Sequence, residues 1–496
     1  MHPRRQARED GGDAMRADDA FELGRLDACA QAGLVASGEV AAHELVEAAI
    51  VRADALDPSL RALSHRDFAG ARRRAQALDS AAARPAFAGV PWLAKDSLDY
   101  PGMPSRGGSR SRGDAPATQA PPYVQRLDAQ GLVAIGKSAM PEFGLMPSTE
   151  PLLGPVTGNP WSPAHSPGGS SGGAAAAVAA GIVPLAHGSD GAGSIRMPAA
   201  CCGVVGLKPG RGAVVQVRAR HAIEDLLVSD VLLSRSLRDS AWAFAAAHPD
   251  PSRAMVRGPS PRRLRIAVIE PNLRGDAPHP DVAEALRHAA DLCASLGHRV
   301  EAARWPFDGG ALDATLKTLW SRLAADAVET AAARGNVATV RQLEPWTRDL
   351  ARWHLEHCGV DALEHAYAHL SALPALFADL HAHWDAILSP VVRTPPPPLG
   401  RLAPDRDFDA LFDDLFDWMS YTPIQNLAGT PGLSLPLSRN AQGLPVGVQF
   451  VADRGAEDVL LALGYELEAV ADWRQAWPPL SVRPGHISTP APRREA

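Results

Sequence analysis

Apolar residues fall at helical spacing through the first part of the chain. Leu26, Leu34, Val40, Leu45, Ala48 and Ile50 predict two or three amphipathic helices between residues 21 and 69, with helix resuming over 72–78. The pattern then changes. Short apolar runs at 90–93, 133–136 and 182–186 are bounded by glycine or proline and read as strands. A further strand is expected over 264–269, followed by a helix over 281–296 that Gly297 closes. Residues 310–385 read as mostly helical and carry Trp320, Trp346, Trp353 and Trp384. Strands alternating with helices predict an α/β fold, a single large mixed β-sheet sandwiched by helices.

Segment boundaries follow from composition. Residues 1–18 are polar and without period and are expected to be disordered, ahead of an N-terminal helical region at 19–80. The main domain is expected at 81–478. Within it, residues 248–263 are rich in Pro, Ser and Arg and read as a surface linker, and the prolines at 395–398 as a stiff surface loop. The Pro-rich tail at 479–496 is expected to be mobile.

Composition narrows the function. With 496 residues, 46% of them hydrophobic, the chain can bury a large core as one big domain or two. A formal net charge of −7 with no dominant basic patch argues against a nucleic-acid surface. The run Arg72-Arg73-Arg74 has acids nearby and reads as a solvated helix face. Cys29, Cys201, Cys202, Cys293 and Cys358 show no zinc-like spacing and are expected to be buried free thiols, with no metal. No apolar stretch follows the charged N-terminus, and the alanine-rich stretch at 174–180 is too short to span a bilayer. The expectation is a soluble, cytoplasmic protein without membrane or nucleic-acid partners.

Two glycine- and serine-rich segments carry the chemistry. One is Ser166-Pro167-Gly168-Gly169-Ser170-Ser171-Gly172-Gly173, the other Gly188-Ser189-Asp190-Gly191-Ala192-Gly193-Ser194-Ile195-Arg196. Upstream, Lys95 follows the apolar run Val90-Pro91-Trp92-Leu93-Ala94. Glycine lets backbone approach a substrate closely, and a serine there can attack or relay a proton. Ser194, after a glycine-rich turn, reads as a nucleophile, with the amides of Gly191, Ala192, Gly193 and Ser194 as oxyanion donors. A base must be neutral. Lowering a lysine pKa from about 10.4 to about 7.4 costs roughly 4 kcal/mol, which burial can supply. Taken alone, Lys95 reads better as an ordinary lysine paired to Asp96 or Asp99; with the two loops present, the catalytic reading prevails.

A competing reading exists. Gly168-Gly169-Ser170-Ser171-Gly172 matches the nucleophile-elbow pattern and would make Ser170 the nucleophile. It needs an acid and then a histidine downstream; the 17 histidines include none in a recognisable motif. It also leaves Lys95 and the Ser194 loop unexplained. Neither segment ends in the Gly-Lys-Ser/Thr of a phosphate-binding loop.

The segment at 166–181 resembles the core of the amidase signature family. So do Gly136-Lys137-Ser138-Ala139-Met140-Pro141-Glu142-Phe143, Gly158-Asn159-Pro160-Trp161, Gly429-Thr430-Pro431 and Gly443-Leu444-Pro445-Val446-Gly447-Val448-Gln449. The resemblance runs over roughly 39–470 and is weaker in a lobe at about 248–420. It implies hydrolysis of a small-molecule amide without a cofactor, with esters as an additional substrate class. It also implies a relay role for Ser170 at a cis peptide bond, and a loop-holding role for Asp190 and Arg196. Ala192 stands where the family usually has glycine, and a positive φ there would be strained. Local motifs such as Pro147-Ser148-Thr149-Glu150-Pro151 resemble the bacterial amidases that include 6-aminohexanoate cyclic-dimer hydrolases; they surround the scaffold more than the pocket, and a cyclic amide is the alternative substrate. The same family resemblance is compatible with an amidotransferase A-type subunit or an inactive binding homologue, and a homodimer is left open. Leu145, Met146, Trp320 and Tyr421 are candidate pocket residues, each equally readable as core packing. An apolar wall of this kind would favour an aliphatic or aromatic acyl group over a charged one.

Overall fold

Helix Gly172–Ala180 contains only glycine, alanine and valine, and every residue in it is buried. Small side chains let a helix lie deep within the main hydrophobic core, which collects residues from Phe21 to Val482. The computed structural model describes residues 15–335, 337–471 and 473–484.

Eleven strands are formed by the described residues. In chain order they are β1 (Leu63–Arg66), β2 (Pro91–Lys95), β3 (Val133–Ser138), β4 (Leu185–Asp190), β5 (Gly206–Lys208) and β6 (Ser229–Leu233). β7 (Arg265–Val268), β8 (Arg299–Ala302), β9 (Ala386–Pro390), β10 (Gly432–Arg439) and β11 (Pro445–Val451) complete the set. They pair in the orders β1-β3-β2-β4-β6 and β5-β10-β11-β9-β7-β8. The strands thus form two mixed sheets rather than the single one expected, and an isolated bridge between Val205 and Ser234 brings them together where β5 begins and β6 ends. β2, β3 and β4 are parallel, and β2 and β3 are buried along their whole length, as expected of strands covered on both faces.

Helices cover the sheets where the sequence period predicts them. Pro280–Ser295 buries Val282, Ala285, Leu286, Ala289 and Cys293, one stripe at helical spacing, and Gly297 follows at φ 87°. The four helices Gly309–Arg334, Pro345–His357, Ala362–His383 and Phe408–Trp418 build a second core around Trp320, Trp346, Phe377 and Phe416.

Several expectations need correction. Residues 63–66 form the edge strand β1, antiparallel to β3, where the apolar spacing suggests continued helix. Four residues are too few to carry a period of either kind. The strand expected over 182–186 begins only at Leu185, because the Ile182 N–H still caps the preceding helix on the Ala177 carbonyl. Of the segment expected to be disordered, residues 1–14 lie outside the described residues, while helix Ala17–Gly24 starts within its end. At the other terminus, residues 485–496 lie outside the described residues. The start of that tail is fixed: Val482 is buried and exchanges hydrogen bonds with Ala180 and Arg25. The proline run is not a free surface loop either. Pro396 and Pro397 are buried, and the Pro397 carbonyl accepts the Ser166 N–H at 2.8 Å. All five cysteines are free thiols, but Cys29 and Cys358 are half-buried rather than buried.

Candidate active site

Lys95 ends β2, and Asp190 ends its parallel neighbour β4, so the site lies at the carboxyl edge of the parallel strands. Open α/β sheets bind ligands at such edges. Ser170 and Ser171 arrive from the loop that starts helix Gly172–Ala180, across a cis Gly169–Ser170 peptide. Ser194 sits in the turn between β4 and helix Arg196–Cys202, and its carbonyl accepts the Ser171 N–H at 3.2 Å. The two glycine-rich loops are thereby tied together.

Lys95 is fully buried, and its Nζ is surrounded by neutral oxygens. It donates to Ser170 Oγ at 2.7 Å, Ser189 Oγ at 2.8 Å and Ser171 Oγ at 2.9 Å, with the Ser189 carbonyl at 3.4 Å. Among the described residues no carboxylate touches it; Asp96 instead accepts the Gly108 N–H at 2.9 Å. The ordinary ion-pair reading of this lysine therefore does not hold. Burial lowers its pKa to about 7, partly opposed by the more distant Asp230. The N-terminus of helix Gly172–Ala180, next to Ser171, adds a positive dipole end that further disfavours an ammonium.

Arg196 organises the loop that carries Ser194. Its guanidinium donates to Asp190 through Nε at 2.9 Å and Nη2 at 3.0 Å, and to Gln425 and Gln449 through Nη1 at 2.8 and 3.0 Å. Asn426 bridges the same carboxylate to the Leu227 carbonyl. Burial opposes ionisation of Asp190, but the Arg196 charge and these hydrogen bonds outweigh it and hold the carboxyl well below its usual range. Asp190 also accepts the N–H groups of Gly193 at 2.7 Å and Ile195 at 3.2 Å. The Gly193 amide, expected as an oxyanion donor, is thus engaged by Asp190, which leaves those of Gly191, Ala192 and Ser194. The strain expected at Ala192 does not arise. The positive φ, 126°, falls on Gly193, where a Cβ would stand 2.1 Å from Thr422 Oγ1.

A cavity of about 450 Å³ opens over these groups, within the usual range for small-ligand sites. Ser170, Ser189, Gly191 and Ser194 line its floor, with Met140, Phe143 and Leu145 on one wall and Trp320 on the helical wall. The Trp320 and Trp346 indoles both donate to the Leu145 carbonyl, at 3.1 and 3.2 Å, pinning that loop to the helical lobe. Leu145 and Trp320 are therefore pocket residues. Met146 and Tyr421 are not: Met146 packs in the second core, and the Tyr421 hydroxyl donates to the Glu270 carbonyl. The wall is also less apolar than expected, since Arg112, Arg218, Arg220, Arg334, Glu224 and Asp326 reach it. Sequence reasoning missed Ser171 and Ser189 as lysine partners, although both lie in the two glycine-rich segments. It also missed Arg112, whose signal was the run Arg106-Gly107-Gly108-Ser109-Arg110-Ser111-Arg112.

Comparison with known proteins places this arrangement. A protein named as an amidase, AmiC, of Mycobacterium leprae (strain TN) is 38% identical over 464 residues, covering 92% of this chain and 97% of that protein. The 6-aminohexanoate-cyclic-dimer hydrolase of Paenarthrobacter ureafaciens is 34% identical over 480 residues, covering 90% and 95%. A solved structure of 6-aminohexanoate cyclic dimer hydrolase with its substrate superposes with a TM-score of 0.81 at 31% identity, over 92% of this chain and 99% of that one. Among the described residues no helix is long and apolar enough to cross a membrane. The family profile described as Amidase matches residues 44–461, and the chain belongs to the amidase family.

Proposed function

We propose that this protein hydrolyses carboxylic amides through an acyl-enzyme on Ser194, with Ser170 as proton relay and Lys95 as general base and then acid. The observation that carries the reading is the 2.7 Å contact between a carboxylate-free, buried Lys95 and Ser170 on a cavity floor shared with Ser194. A lysine with a pKa of about 7 is neutral in a large fraction of molecules at neutral pH. Neutral Lys95 draws the Ser170 proton while Ser170 draws that of Ser194. The Ser194 oxygen then attacks the amide carbon, and the N–H groups of Gly191, Ala192 and Ser194 receive the oxyanion. When the C–N bond breaks, the proton returns from Lys95 through Ser170 to the leaving amine. Water attacks the acyl ester by the same relay and frees Ser194. Among the described residues no histidine hydrogen-bonds Ser170 or Ser194, which disfavours the nucleophile-elbow reading.

A cyclic amide is the second reading, favoured by the relatives named 6-aminohexanoate-cyclic-dimer hydrolase. The test is intact mass and peptide mapping after a fluorophosphonate probe, on wild type and Ser194→Ala. Labelling at Ser194 that the substitution abolishes supports the acyl-enzyme. Labelling at Ser170 restores the elbow reading, and no labelling of folded protein favours a binding homologue.

A further inference from the structure

The charges on the cavity wall do not cancel. Four arginines reach it (Arg112, Arg218, Arg220 and Arg334) against two acids, Glu224 and Asp326. Both acids already have partners. Glu224 lies 3.4 Å from Arg218, which also grips the buried Asp230. Asp326 is held by Arg322 and lies 3.4 Å from His221. Arg220 pairs with Asp225 at 3.3 Å. Among the described residues, the side chains of Arg112 and Arg334 are left with neither an ion pair nor a hydrogen bond.

Arg112 is nonetheless positioned. Its guanidinium carbon stands 5.0 Å from the centre of the Phe143 ring, a cation–π distance. On the same side, Nη1 packs over Gly107, where a Cβ would sit 3.2 Å away. The shelf beneath it is itself held: the Phe143 N–H donates to the Gly107 carbonyl at 2.7 Å, and Phe143 takes a left-handed φ of 51°. A bulky residue adopts that conformation only where its surroundings hold it. Burial and the like charge of Arg334 both work against Arg112, and only Asp96, Asp99 and Glu224 oppose them from a distance. A half-buried guanidinium stacked on its face keeps its N–H edge available for a planar anion.

We propose that the cavity selects amides that carry a carboxylate away from the scissile bond, and that Arg112 receives this carboxylate, with Arg334 reinforcing it at the rim. The proposal rests on the amide-hydrolase reading for its turnover test but not for its binding test. Glutaric acid monoanilide and its methyl ester differ chiefly in the charge at that end. Wild type is expected to show kcat/KM at least about tenfold higher for the anion, the scale of one charge-assisted hydrogen bond. Arg112→Gln is expected to raise KM for the anion until the ratio is about one, with the ester changed less than about twofold and fluorophosphonate labelling of Ser194 retained; Arg112→Lys restores part of the preference. Calorimetry of both anilides on Ser194→Ala reads the same selectivity without chemistry. Equal binding of acid and ester there overturns the proposal, as does a preference that persists in Arg112→Gln. Failure of the hydrolase reading looks different: no labelling and no turnover of either anilide, while calorimetry still decides the anion preference.

Discussion

Arg196 holds Asp190 through two hydrogen bonds of 2.9 and 3.0 Å, and neither side chain has any exposure to solvent. Removing one member of a buried pair leaves a charge without compensation, at a cost of about 3–5 kcal/mol. Arg196→Met is therefore expected to lower unfolding stability by that amount and to abolish probe labelling of Ser194, because Asp190 fixes the loop through the Gly193 and Ile195 amides. The double variant Asp190→Asn/Arg196→Met removes both charges and should recover part of the stability without recovering the labelling. Urea titration of the three proteins checks this, and a single variant within about 1 kcal/mol of wild type would contradict it.

In the proposed reaction Lys95 sets the pH dependence. Burial lowers its pKa to about 7, and only the neutral amine accepts a proton. On an uncharged amide, kcat/KM should rise with pH through about 7 and then level off. Lys95→Ala should cost more on amides than on the corresponding esters, since an alkoxide leaves with less proton assistance than an amine. Equal losses on the two substrate types, from steady-state kinetics on a matched ester and amide, would remove Lys95 from leaving-group protonation.

The same group makes stability depend on pH, because burial penalises its protonated form. The folded pKa lies below the unfolded one, so between about 7 and 10.4 the unfolded chain binds more protons and folding stability rises with pH. Below about pH 7 the penalty of burying the amine is fully present; above about 10.4 it is gone. Lys95→Met lacks it throughout. Its stability relative to wild type should therefore fall by about 2 kcal/mol between pH 7 and pH 9, measured by urea unfolding at each pH. No change in that difference would place the folded pKa of Lys95 near its ordinary value.

The sequence made the centre of the site legible and its walls obscure. Ser170 and Ser194 stood out as candidates because closely packed backbone demands glycine beside them, and Lys95 because an apolar run precedes it. Asp190 and Arg196 were legible through the family resemblance of the segment that carries Ser194. The cavity wall follows from tertiary packing instead. Met146 and Tyr421 sit beside recognisable motifs yet face the core, while Arg112 reaches the cavity from a loop between β2 and β3 and Arg334 from the end of helix Gly309–Arg334. Strand β1 escaped because its pairing with β3 is non-local. The four-residue loop Gly191–Ser194 shows both sides at once. Its amides were expected as one set, but which of them faces the cavity depends on Asp190, and no spacing encodes that.

Ala192 and Gly193 divide the loop before Ser194 into a tolerant and an intolerant position. Gly193 has φ 126°, and a Cβ there would stand 2.1 Å from Thr422 Oγ1, whose hydroxyl donates to the Ala192 carbonyl at 2.7 Å. Gly193→Ala combines a disfavoured backbone with a clash against a side chain that is itself hydrogen-bonded. It should reduce kcat by about 10²-fold or more, the scale of a lost oxyanion donor, through displacement of the neighbouring amides. Ala192 has an ordinary negative-φ backbone among the described residues and keeps its N–H whichever residue stands there. Ala192→Gly should leave kcat within about threefold of wild type and cost about 0.5–1 kcal/mol in stability from the added freedom of the unfolded chain. Rates on one anilide and urea midpoints for both variants separate the two positions. A severe loss of kcat in Ala192→Gly with stability intact would show that the methyl group itself shapes the oxyanion site.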